Sequence, residues 1–136
     1  MNIRVPLLLT ALLSSAVVAA TPAAEQREAR AAAKFDKAVA GKFAGKPQSC
    51  ISLSRANSSQ TFGESAIVYR VSRNLFYVNR PRGGCQELRE SSALVTQLTT
   101  DRLCSGDIVR VVDFTSGFEG GSCVLGDFTP YTKNPR

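Results

Sequence analysis

The chain changes its hydrophobic rhythm twice. Met1 to Ala20 opens with Arg4, runs mainly apolar from Val5 to Leu13, and ends in the small residues Val18-Ala19-Ala20. Residues 22–40 then repeat at helical spacing. Phe35, Val39 and Phe43 recur every four residues, with Ala31 and Ala32 on the same side. Arg27, Arg30, Lys34 and Lys37 fall on the opposite side. This spacing predicts an amphipathic helix with a narrow, alanine-rich apolar face. Thr21 can cap it, Pro22 suits the first helical position, and Gly41 and Pro47 mark its end.

From Cys50 onward the pattern becomes that of short strands. Ser49 to Leu53, Ala66 to Val71, Leu75 to Val78 and Ile108 to Val112 are rich in β-branched and aromatic residues. Ser72-Arg73-Asn74 is a turn of hairpin length between two of them, and Asn74 accepts the left-handed backbone such turns use. Ala93 to Thr99 is a weaker segment. Ser116 to Gly121 reads as a glycine-rich hairpin connection, and Ser122 to Leu125 and Phe128 to Tyr131 close the chain. The expected fold is mainly β: a small antiparallel barrel or sandwich of five or six short strands, preceded by an N-terminal amphipathic helix. The expected divisions are a signal peptide over 1–20, a helix and linker over 21–47, a β-domain over 48–131 and a tail over 132–136.

The first twenty residues have the layout of a secretory signal peptide cut after Ala20. Their apolar run is shorter than the roughly 20 residues that span a bilayer. The expected address is the periplasm or the exterior, with no transmembrane segment in the mature chain. The net charge of +6 is concentrated early, since residues 21–49 carry six basic against three acidic side chains. Tryptophan is absent, no dense basic stripe exists, and nucleic acid is not an expected partner. Histidine is absent too, which removes the commonest general base and nitrogen ligand for metals.

Cys50, Cys85, Cys104 and Cys123 form no C-x-x-C pair. Zinc would need all four thiolates, so neither metal nor cofactor is called for. An even count in an exported chain predicts two structural disulfides. The pairing favoured here is Cys50–Cys123, tying the opening to the closing β-segment, with Cys85–Cys104 joining two turns. An exchangeable Cys85–Cys104 bridge would make a redox protein.

Four cysteine-centred motifs occur in order: Cys50-Ile51-Ser52-Leu53, Gly84-Cys85, Leu103-Cys104-Ser105-Gly106-Asp107-Ile108, and Cys123-Val124-Leu125-Gly126-Asp127-Phe128-Thr129-Pro130-Tyr131. Over residues 48–131 they resemble a family of small exported bacterial proteins with no assigned function. The resemblance implies a bacterial source and no reaction. The family pattern places an aspartate before its second strand. Here Phe62-Gly63-Glu64 stands there, so any role for that acid falls to Glu64.

The chemistry-bearing residues point to two function classes. A non-enzymatic binding or structural module of the cell envelope would use Arg70, Arg80 and Arg110, with Tyr69 and Tyr77 as apolar contacts, to hold a small anionic ligand, or would bind an envelope protein. A small carboxylate-based hydrolase acting on an envelope polymer would draw on Asp101, Asp107, Asp113 and Asp127. No catalytic residue can be named, because Ser105 lacks a base and the glycines do not form a phosphate loop. The first class is the expected one.

Overall fold

The computed structural model describes residues 22–134. The expected signal peptide over 1–20 and the last two residues of the expected tail lie outside these. One helix, α1 (Pro22–Val39), precedes ten strands: β1 (Phe43–Ala44), β2 (Cys50–Ser52), β3 (Ser58–Phe62), β4 (Ala66–Arg70), β5 (Leu75–Asn79), β6 (Ser92–Val95), β7 (Arg102–Cys104), β8 (Ile108–Asp113), β9 (Glu119–Val124) and β10 (Phe128–Thr132). The fold is mainly β, as expected, but it uses more strands than five or six and no sheet closes into a barrel. A five-stranded sheet runs β1-β10-β5-β4-β3, a two-stranded sheet pairs β2 with β7, and a three-stranded sheet runs β6-β8-β9, all antiparallel.

The five-stranded sheet is the middle layer, and strand alternation gives it two apolar faces. Ala66, Val68, Phe76 and Val78 turn to the side where α1 lies and pack with Phe35, Phe62 and the partly buried Ala38, Val39 and Tyr131. Ile67, Tyr69 and Phe128 turn the other way and meet Ile51, Leu103, Val109, Val111, Leu125 and Leu88 from the two smaller sheets. The β4 run Ala66-Ile67-Val68-Tyr69 is buried at every position for this reason. Continuous burial follows from cover on both faces.

The helix sits on its sheet through one large side chain. Phe35 makes edge-on contacts with Phe62 (centroids 5.7 Å apart) and Tyr131 (6.4 Å). Phe43, expected on the same helical face, lies beyond the helix on β1 and is 55% exposed. The helix stops first because Gly41 takes φ +69°, a left-handed conformation that ends helices cheaply only in glycine.

The cysteines pair as Cys50–Cys104 and Cys85–Cys123, which corrects both favoured bridges and removes the Cys85–Cys104 redox pair. The opening and closing segments do meet, but through a bridge between Gln48 and Phe128 rather than through cysteines. Cys50 instead faces Cys104 directly across the β2–β7 pair, with Cα atoms 4.0 Å apart. Cys123 points inward from β9 beside Val109 and reaches the buried Cys85.

Candidate functional site

The motif residues fold onto one another rather than onto a cleft. In Leu103-Cys104-Ser105-Gly106-Asp107, the Asp107 carboxylate accepts the Cys104 N–H at 2.7 Å and so closes its own turn. The Gly106 N–H donates to the Leu125 carbonyl, and the Leu125 N–H donates back to the Asp107 carbonyl, both at 2.9 Å. In Leu125-Gly126-Asp127-Phe128, both apolar side chains are fully buried. Gly126 lies against the Arg80 backbone so closely that an added Cβ would sit 2.3 Å from its carbonyl oxygen. The buried Asn79 amide clamps Gly126, donating to its carbonyl at 2.7 Å and accepting its N–H at 3.1 Å. These motifs therefore hold the seam between the sheets around the two disulfides.

The five residues considered for ligand binding are not brought together. Tyr69 is buried in the core against Phe128, at 5.8 Å between centroids, and burial pushes its phenol well above the ordinary value. Tyr77 is half-buried and lines a cavity of about 310 Å³ with Gln48, Ser52, Arg55, Asp101 and Arg102. Arg80 lies over the Phe35 ring at 5.1 Å and Arg70 over the Phe76 ring at 4.9 Å, both on the α1 side. Arg110 belongs to a different layer: it points outward from β8 and pairs with Glu119 at 3.1 Å. Strand parity and sheet membership separate what a linear reading groups by charge.

The aspartates are equally dispersed. Asp113 accepts the N–H groups of Thr115 and Ser116 in the β8–β9 turn, which holds its carboxyl below the usual carboxylate range. Asp101 accepts the Ser52 and Ser54 hydroxyls at 2.9 and 3.2 Å. These bonds tie β2 and the turn after it to the residue that precedes β7. Asp107 closes its own turn and Asp127 is exposed at another. No group of three or more metal-ligating side chains exists among the described residues.

Two surface features went unread in the sequence. A cleft of about 600 Å³ separates the first half of α1 from the β3–β4 turn and the 87–90 loop. Four of its nine charged side chains form ion pairs, Lys34 with Glu90 and Arg89 with Glu87, and Glu28 accepts the Glu64 N–H at 3.0 Å. Glu64 is thus on the wall of this cleft. The second feature is the outward face of the three-stranded sheet. Val109 and Val111 point into the core, so Ile108, Arg110 and Val112 point out, joined by Val95 and Val124 from the flanking strands. Ile108 is 63% exposed; Phe114 and Phe118, in the hairpin turn, are each 77% exposed, and Phe114 lines a separate groove with Ser59, Gln60, Thr61 and the inward-facing Leu94. The available signal was that β8 carries apolar residues at both parities, and such a strand needs cover on both faces.

Comparison with known proteins returns no family model, no curated protein and no solved structure that matches the chain.

Proposed function

We propose that this chain is an exported, non-enzymatic binding module of the cell envelope that meets a partner protein through the outward face of its three-stranded sheet. The observation that carries this reading is a concentration of apolar surface. Of the six exposed large apolar side chains among the described residues, three (Val95, Ile108 and Val124) stand on this face by strand register, and Phe118 lies in the adjoining hairpin turn. Clustered apolar surface of this kind marks an interaction site, whereas scattered exposure does not. The two disulfides suit an oxidising compartment, and no helix among the described residues is long and apolar enough to cross a membrane. The signal-peptide layout of residues 1–20 and the resemblance of the four motifs to small exported proteins support the address.

The proposed partner is a different protein. Arg110 stands on the central strand of the face. Arg110 is paired with Glu119 on β9, so the face presents an ion pair beside apolar side chains, and a partner with complementary polar groups at that point keeps both charges satisfied. The hydrolase alternative has less to stand on, because its four aspartates serve separate turns.

The test is a photocrosslinking residue in place of Ile108, and separately in place of Lys46 as a control, in the protein exported by its host. A discrete adduct at position 108 alone, of mass other than twice the chain, is expected. An adduct of two copies, equal labelling at both positions, or no adduct would overturn the proposal. The mature mass should match a cut after Ala20 with no alkylated cysteine.

A further inference from the structure

A second site lies on the opposite side of the molecule, where α1 ends. Lys42 follows the helix and precedes β1, whose Phe43 pairs with Thr132. That register sets Lys42 opposite Lys133, whose N–H donates to the Asn74 carbonyl at 3.3 Å. Arg70 ends β4 directly across from Phe76. Three cationic residues, Lys42 before β1, Lys133 after β10 and Arg70 at the end of β4, thus fall at one end of the central sheet.

Phe76 is the platform for two of them, Lys42 and Arg70. The Lys42 Nζ lies 4.2 Å from its ring centre and the Arg70 Cζ lies 4.9 Å from the same centre. Cation–π contact accounts for each cation singly. It does not account for holding two cationic centres on one ring, no more than about 9 Å apart, where like charges repel. None of the three forms an ion pair among the described residues; the pairs there are Lys34–Glu90, Arg89–Glu87 and Arg110–Glu119. One Lys42 proton is used by the Ala38 carbonyl at 3.2 Å, which leaves two donors on its ammonium. Partial desolvation holds the Lys42 amine below the ordinary lysine range, and Lys133 and Arg70, both positive, act in the same direction.

We infer that Lys42, Arg70 and Lys133 form a binding site for a phosphate group, as a free phosphate or phosphoester or as a lipid headgroup. A guanidinium fork and two ammonium groups from different directions suit a tetrahedral anion with several acceptor oxygens better than a planar carboxylate. The site is separate from the apolar sheet face, and neither depends on the other.

Two probes test it on the full oxidised chain: inorganic phosphate titrated against chloride at matched ionic strength, and vesicles of phosphatidylglycerol in phosphatidylcholine against phosphatidylcholine alone. The readouts are side-chain Nε–Hε resonances of the arginines and vesicle co-sedimentation. Saturable phosphate binding that shifts Arg70 is expected, and Lys42→Gln or Lys133→Gln should each weaken it about tenfold, the loss of one charge-assisted contact. Lys46→Gln should leave it unchanged. Lys133→Gln lies at a strand end, so it keeps the test sound if Arg70→Gln fails to fold. Binding of phosphate without vesicles identifies a soluble ligand, and vesicle binding lost in the same variants identifies a headgroup. Response to neither probe beyond the chloride and phosphatidylcholine controls, or response that survives the Lys42 and Lys133 variants, overturns the assignment.

Discussion

Asn79 is the residue whose removal the structure prices most sharply. It is fully buried at the end of β5, and its amide joins Gly126 on both sides, donating at 2.7 Å and accepting at 3.1 Å. Asn79→Ala leaves the buried Gly126 N–H and carbonyl without partners and opens a small void. At about 1–3 kcal/mol for each stranded group, the expected loss is about 3–5 kcal/mol. That is a large share of the roughly 5–15 kcal/mol that holds a domain folded. Asn79→Asp sharpens the reasoning. It keeps an acceptor for the Gly126 N–H but turns an oxygen on the Gly126 carbonyl, so it should be at least as damaging at neutral pH. A buried aspartate has a raised folded pKa, so its penalty relative to wild type should shrink at mildly acidic pH, where the protonated acid can donate. Urea unfolding of the oxidised proteins followed by far-ultraviolet circular dichroism gives these differences. A loss below about 1 kcal/mol for Asn79→Ala would refute the clamp and show that the strand ladder alone holds the 125–128 turn.

Three further outcomes are expected. Phe35→Ala removes the anchor of α1 and should cost about 3 kcal/mol; unchanged helical ellipticity and stability would show that the helix is held elsewhere. Peptide mapping without reduction should yield Cys50–Cys104 and Cys85–Cys123, and replacing Cys85 and Cys123 together by alanine, across a sequence separation of 38, should cost about 4 kcal/mol on the chain-entropy account. Burial raises the Tyr69 phenol above its ordinary value of 10.0, so the unfolded chain ionises first: the stability contributed is present below pH 10 and falls as pH rises above it. Tyr69→Phe should flatten that alkaline loss in urea titrations, and an unaltered slope would place the titrating group elsewhere.

Local features of the chain were sufficient for some of this. Helix α1 was legible from its spacing and alanines, and β4, β5 and β8 from branched residues; the turn between β4 and β5 falls at 72–74 as expected, but Asn74 does not take the expected left-handed backbone, because the Ser72 hydroxyl accepts the Asn74 and Leu75 N–H groups and closes the turn without it. Strand β3, with the sequence Ser-Ser-Gln-Thr-Phe, was not, because only pairing with β4 makes that polar stretch extended. The three residues of β7 are likewise a strand only because Cys50 to Ser52 lie beside them. The helical rhythm also ran one step too far at Phe43, where Gly41 had already turned the backbone.

The sequence by itself determined helix α1, strands β4, β5 and β8, the mainly β class and an even set of cysteines. Periodicity and turn chemistry act over a few residues, so they can be read along the line. Tertiary structure alone decided which cysteines meet, since that depends on which strands lie side by side. It also decided that Arg70 and Arg110 belong to different layers, and that Lys42, distant in sequence, shares the Phe76 ring with Arg70. Strand register and sheet membership carry that information, and both are long-range properties that no local pattern encodes.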